Sequence, residues 1–161
     1  WVNDNPPPYP TAQDIVEACS QLDVPVEEMN PDMAPYVRAF QKWVNLSAYQ
    51  VGEWRTQLAH PLHQCYGQLD LLARDPEGKA AMVVFAKGDT NPVQVIRCAA
   101  LKALWETNHP ADPVMSCMAL RLTSGGEPFT VPYSLREIAT AWQEFMAATI
   151  VYRWRGRHGR L

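Results

Sequence analysis

Two charged residues interrupt runs that otherwise read as apolar strands, and they are the first candidates for chemistry. Asp70 lies within Tyr66-Gly67-Gln68-Leu69-Asp70-Leu71-Leu72, and Lys87 closes Val83-Val84-Phe85-Ala86-Lys87-Gly88. An ionised carboxylate inside an apolar strand is costly unless a cation or hydrogen-bond donor meets it. A lysine at the end of the neighbouring strand is a natural partner. A solvated strand edge is the plainer reading of the same acid. The end of the chain, Arg153-Trp154-Arg155-Gly156-Arg157-His158-Gly159-Arg160, interleaves guanidinium groups with an indole. Arginine matches phosphate oxygens and tryptophan stacks on bases. A solvated terminus, or an Arg-rich contact to an acidic protein, reads from the same residues. His60, His63 and Cys65 carry metal-ligand side chains, but zinc needs three or four converging ligands and no matching second pair follows. They are read as a loop leading into a strand.

The elements that must position these residues come from periodicity and turn chemistry. Residues 1–10 hold four prolines and read as an extended arm. Thr11 opens a predicted helix with Ile15, Val16 and Cys19 on its apolar face. A second helix is predicted from about Pro35 to Val44, with Tyr36, Ala39, Phe40 and Trp43 as its stripe. Strands are predicted at Trp54–Ala59, Tyr66–Ala73 and Ala80–Ala86, the last two joined by the turn Arg74-Asp75-Pro76-Glu77-Gly78. Together they read as a β-meander. Pro92 suits a first helical position, and Val95, Cys98, Ala99, Leu101 and Trp105 mark a helix to about Thr107. Met115–Leu122 and Phe129–Tyr133 read as a hairpin around Ser124-Gly125-Gly126. Ser134 and Glu137 form an S-x-x-E capping box before a closing helix striped by Ile138, Trp142, Phe145, Met146, Ile150 and Val151. The order α-α-β-β-β-α-β-β-α predicts an α/β fold, a central mixed sheet flanked by helices.

Composition bounds the function classes. A chain of 161 residues, 47% apolar and 19% charged, suits one globular domain over 1–161. No apolar run approaches the roughly 18 residues that span a bilayer, so no membrane partner is expected. The chain opens at Trp1 without Met, as in a domain cut from a longer chain or a processed product. Net charge is −3; without the four arginines of 153–161, ten basic residues stand against 17 acidic ones, or −7. A basic tail follows an acidic body. Cys19, Cys65, Cys98 and Cys117 lie among apolar neighbours at no framework spacing, the pattern of reduced thiols in a cytoplasmic protein.

Gly67-Gln68-Leu69-Asp70, the turn at 74–78, Phe85-Ala86-Lys87 and Gln94 near the start of the next helix occur in a telling order. That order resembles the PD-(D/E)XK nuclease superfamily of the phage and recombination-exonuclease kind, in which a G-x-x-D strand, a hairpin, a strand ending in D/E-x-K and a helix opening with Gln follow one another. His60-Pro61 and the closing helix with Trp142, Phe145 and Tyr152-Arg153 fit the same pattern, so the resemblance covers roughly residues 36–157. It implies a restriction-endonuclease-like core. It also implies a site in which two acids and a carbonyl hold Mg²⁺, which activates water, while the lysine stabilises charge.

The chain departs from that pattern at the acid position, where Phe85 cannot ligate a metal. A further acid expected upstream is also missing, with Glu53 followed by Arg55 and Thr56. The resemblance therefore implies a decayed site in which Asp70 and Lys87 are remnants beside Gln94. The expected function is a catalytically inactive nuclease-like domain with a nucleic-acid-binding or structural role in a phage or bacterial setting, and no cofactor. Arg153, Trp154, Arg155, Arg157 and Arg160 are the candidate nucleic-acid contacts. Two alternatives remain. One is an active Mg²⁺-dependent DNA exonuclease whose acids have migrated to Asp89 or Glu53, with Asp70 as metal ligand. The other is a protein-interaction module on a dead nuclease fold.

Overall fold

A computed structural model describes residues 31–86 and 92–159. The Pro-rich arm, the helix predicted from Thr11, Lys87, Asp89 and Arg160 lie outside the described residues. Helix α1 (Ala34–Ser47) has Pro35 in its first turn and ends where Ala48 turns left-handed at φ 55°. Val37, Phe40 and Trp43 are buried at i, i+3 and i+6, which aims one face at the sheet. Strands β1 (Gln50–Val51), β2 (Gln57–His60), β3 (Cys65–Gln68), β4 (Leu71–Arg74) and β5 (Ala80–Ala86) follow, then α2 (Pro92–Asn108), β6 (Val114–Leu122), β7 (Pro128–Tyr133) and α3 (Leu135–His158).

The fold is α/β, with a mixed five-stranded sheet in the order β1-β4-β5-β6-β7 and a separate β2–β3 hairpin. Within the large sheet β5 and β6 run parallel, joined by the α2 crossover, and the other pairs are antiparallel. β5 is buried on both faces, which is why its sequence is an unbroken apolar run. Ala81 and Val83 pack with Leu71, Ala73, Met118 and Leu120 against α1. Ala80, Met82 and Val84 pack with Leu72, Cys98, Leu101, Trp105 and Ala119 beneath α2, where Ile138 and Ala141 of α3 also sit. The β4–β5 turn is closed by Asp75, whose Oδ1 accepts from the N–H groups of Glu77 and Lys79 at 2.9 and 2.8 Å. Gly78 holds φ 79° there, a region that side chains disfavour.

The predicted meander is corrected. The strand expected over Tyr66–Ala73 is broken at Leu69-Asp70 into β3 and β4, which belong to different sheets. Leu69 joins the α2-side cluster and Leu71 the α1-side cluster. Residues two apart in a strand share a face, so a residue at the Asp70 bend must break the period. The strand expected at Trp54–Ala59 is shifted to Gln57–His60 and pairs with β3, not with the central sheet. Gln50–Val51 takes its place at the edge of β4, and the backbones of Gly52 and Glu53 continue that pairing to Leu72.

Candidate functional site

The break between β3 and β4 positions Asp70. Its side chain is 4% exposed overall, at the point where β4 enters the sheet and β5 nears its end. Oδ2 accepts the backbone N–H of Phe85 at 3.1 Å. Oδ1 accepts from, and ion-pairs with, the guanidinium of Arg97 on the second turn of α2. Burial holds the carboxyl above the ordinary range, opposed by the Arg97 charge and the Phe85 N–H. The guanidinium itself is half-exposed. Among the described residues the buried acid thus meets one N–H and one cation, and each carboxylate oxygen accepts from one of them.

Phe85 shares the parity of Ala81 and Val83. Its ring packs toward α1, 6.1 Å from the Phe40 ring centroid, and it belongs to the α1-side cluster. The position where the resembled family carries its second acid therefore contacts Asp70 through the backbone, while its partly buried side chain packs against the α1-side cluster. Gln94 is buried on α2, one turn before Arg97 and Cys98. Glu53 is exposed; its carboxylate accepts from Thr56 Oγ1 at 3.3 Å and adds its charge at Arg74. Lys87 and Asp89 lie outside the described residues, so the expected Asp70–Lys87 pair is not on view. The cation that Asp70 meets is Arg97, which sequence reasoning missed. Its signal was available: Arg97 stands three residues after Gln94 on a helix otherwise apolar through Leu101, so it had to face either solvent or a buried acid.

The chain end is helical up to His158 and is not a separate tail. Arg153, Trp154, Arg155 and Arg157 are the last turns of α3. Their local signal is the Ser134 cap: Ser134 Oγ accepts the Glu137 N–H at 3.2 Å, and the Glu137 carboxylate accepts the Ser134 N–H at 2.7 Å. The Ser134 hydroxyl, which donates to the same carboxylate at 2.6 Å, and the Ser134 N–H hold the Glu137 carboxyl below its usual range. From there Ile138, Ala141, Trp142, Phe145 and Thr149 turn toward the body. Trp142 packs 6.2 Å from His60 and 5.7 Å from His63, and Arg153 donates to the His63 carbonyl. The hairpin tip at His63 thus takes up the Arg153 guanidinium, one of the predicted nucleic-acid contacts. Between Thr149 and that Arg153 contact, Ile150 is 63% exposed, Val151 52% and Tyr152 80%, although Ile150 and Val151 were expected in the buried stripe. Trp154 stacks on His158 at 5.0 Å, and Arg155 and Arg157 are exposed beside it. Among the described residues no three His, Cys, Asp or Glu side chains gather into a metal-sized site. No described helix is long and apolar enough to cross a membrane.

No protein-family model matches the chain, and no curated protein matches it.

Proposed function

We propose that this chain is a nuclease-like domain that binds nucleic acid without cleaving it, through the exposed end of α3. The observation that carries the reading is the state of Asp70. Its two oxygens accept from the Phe85 N–H and the Arg97 guanidinium, and the side chain at 85 is a partly buried phenylalanine packed against the α1-side cluster. A catalytic Mg²⁺ needs oxygen ligands with free lone pairs aimed at one point. Here the Arg97 guanidinium already stands beside Asp70, the one carboxylate buried among the described residues. The antiparallel β4–β5 pair, the α2 crossover and parallel β6, with Asp70 at the start of β4, support kinship with the resembled nuclease core.

Binding is assigned to α3 because Tyr152, Trp154, Arg155 and Arg157 are exposed on its last turns, on either side of the Arg153 contact. Guanidinium groups pair with phosphates and exposed aromatics stack on bases. The exposure of Ile150 and Val151 favours a second reading, a protein partner that covers this stripe.

The test is incubation of the chain with labelled linear and single-stranded DNA in Mg²⁺ or Mn²⁺, resolved once on a native gel and once on a denaturing gel. Retarded but intact DNA is expected. Divalent-dependent degradation that disappears in Asp70→Ala would establish a migrated active site. Neither retardation nor cleavage would leave the protein-interaction reading in its place.

A further inference from the structure

Two thiols face each other where α2 crosses the central sheet. Cys98 is buried on α2 and Cys117 on β6, both in the same core cluster. Cys117 is the register partner of Met82 on β5. The Cys98 thiol lies 3.9 Å from the carbonyl oxygen of Met82, to which it donates. The two sulfurs therefore converge on one point of the β5–β6 seam, where they also hydrogen-bond to each other, and both are free thiols. Asp70 lies on the Cys98 side of the pair, Lys102 and Glu106 on the Cys117 side, and Tyr133 of β7 nearby. Pairing with Cys98 holds the Cys117 thiol below its usual range, with Lys102 assisting against burial, while pairing with Cys117 and burial drive Cys98 upward. Cys117 is thus the better nucleophile of the two.

We infer that Cys98 and Cys117 are a redox-responsive pair that closes to a disulfide tying α2 to β6, with a low-molecular-weight disulfide as oxidant. The Cys117 thiolate attacks one sulfur of the oxidant, whose S–S bond breaks and releases one small thiolate. The Cys98 sulfur then attacks Cys117 and displaces the second small thiolate as the protein S–S bond forms. Two electrons pass from the protein thiols to the oxidant, and the two thiol protons end on the two released small thiols. Because both sulfurs are buried, exchange proceeds through local opening of α2 from the sheet. Cys65, only partly buried on β3, has no such barrier and forms adducts first. Cys98 directly follows Arg97, so closure fixes the turn of α2 that holds Asp70.

The experiment is incubation of the folded chain with oxidised glutathione, alkylation of remaining thiols, digestion without reductant and mass spectrometry. The expected product is a Cys98–Cys117 linked peptide pair lacking two hydrogens and split by reductant. It should persist in Cys65→Ser, and the oxidised chain should melt at higher temperature than the reduced one. The inference is overturned by any of four results. These are glutathione adducts at Cys98 or Cys117 that never resolve to the link, links to Cys19 or Cys65 instead, both thiols unchanged while Cys65 reacts, or a link that forms only in denaturant.

Discussion

A buried carboxylate dictates its own surroundings, and Asp70 shows how far that reasoning reaches from sequence. That the acid needed a partner followed from its apolar flanks. Adjacency along strands pointed to Lys87, which lies outside the described residues; the partner on view is Arg97, which the second turn of α2 brings over the end of β5. Replacing Arg97 by Met is expected to cost about 1–3 kcal/mol at neutral pH, since it removes the guanidinium that pairs with a buried carboxylate. Adding Asp70→Asn should recover most of that loss, as chemical denaturation of the two single variants and the double variant will show. The sign of the pH effect follows from the raised folded-state pKa of Asp70. Between the unfolded value, about 4, and the higher folded value, the folded chain holds the proton that the unfolded chain has lost. Its contribution to stability is therefore full below the unfolded pKa and lost as pH rises through the folded pKa. Asp70→Asn keeps an acceptor for the Phe85 N–H and removes the titration. Melting temperatures of wild type relative to this variant should fall as pH rises across that window; a rise would place the Asp70 shift in the opposite direction.

Local chemistry wrote most of the elements plainly and long-range parity hid the rest. β5 came from an unbroken apolar run, the start of α2 from Pro92, and the start of α3 from its Ser134–Glu137 box; each signal lies within a few residues. The division of 66–73 between two sheets was invisible, because Leu69, Leu71 and Leu72 are all buried and a run buried on both faces carries no alternation to reveal a phase change. The exposure of Ile150 and Val151 was hidden for a related reason. The face of α3 that meets the body runs through Trp142, Phe145, Thr149 and Arg153, and Ile150 and Val151 lie one and two residues off it, a phase that their apolar side chains alone did not reveal. The opposite layer rests on α1, whose Phe40 is buried against Trp43 and Phe85. Phe40→Ala is expected to destabilise by about 3–5 kcal/mol, read as a lower denaturation midpoint with an unchanged denaturant slope. A loss under 1 kcal/mol would mean that α1 adds little to the sheet.

The whole molecule divides its charge unevenly, with Arg153, Arg155, Arg157 and Arg160 gathered at one end of a chain whose remaining charge is −7. An acidic body repels a polyanion, so affinity has to come from the projecting end of α3 and has to depend steeply on salt. Charge reversal at that end separates nucleic-acid contact from packing, provided Arg153 is left in place, since its guanidinium is bonded to the hairpin at His63. The measurement that tests the central claim most directly is a titration of labelled DNA with wild type and with the Arg155→Glu/Arg157→Glu variant at a series of salt concentrations. Wild-type affinity should fall linearly in log–log form, and the variant should bind more weakly with a slope shallower by about 2, close to one unit for each lost phosphate contact. Equal affinity and equal slope for the two proteins would contradict the assignment of nucleic-acid binding to α3.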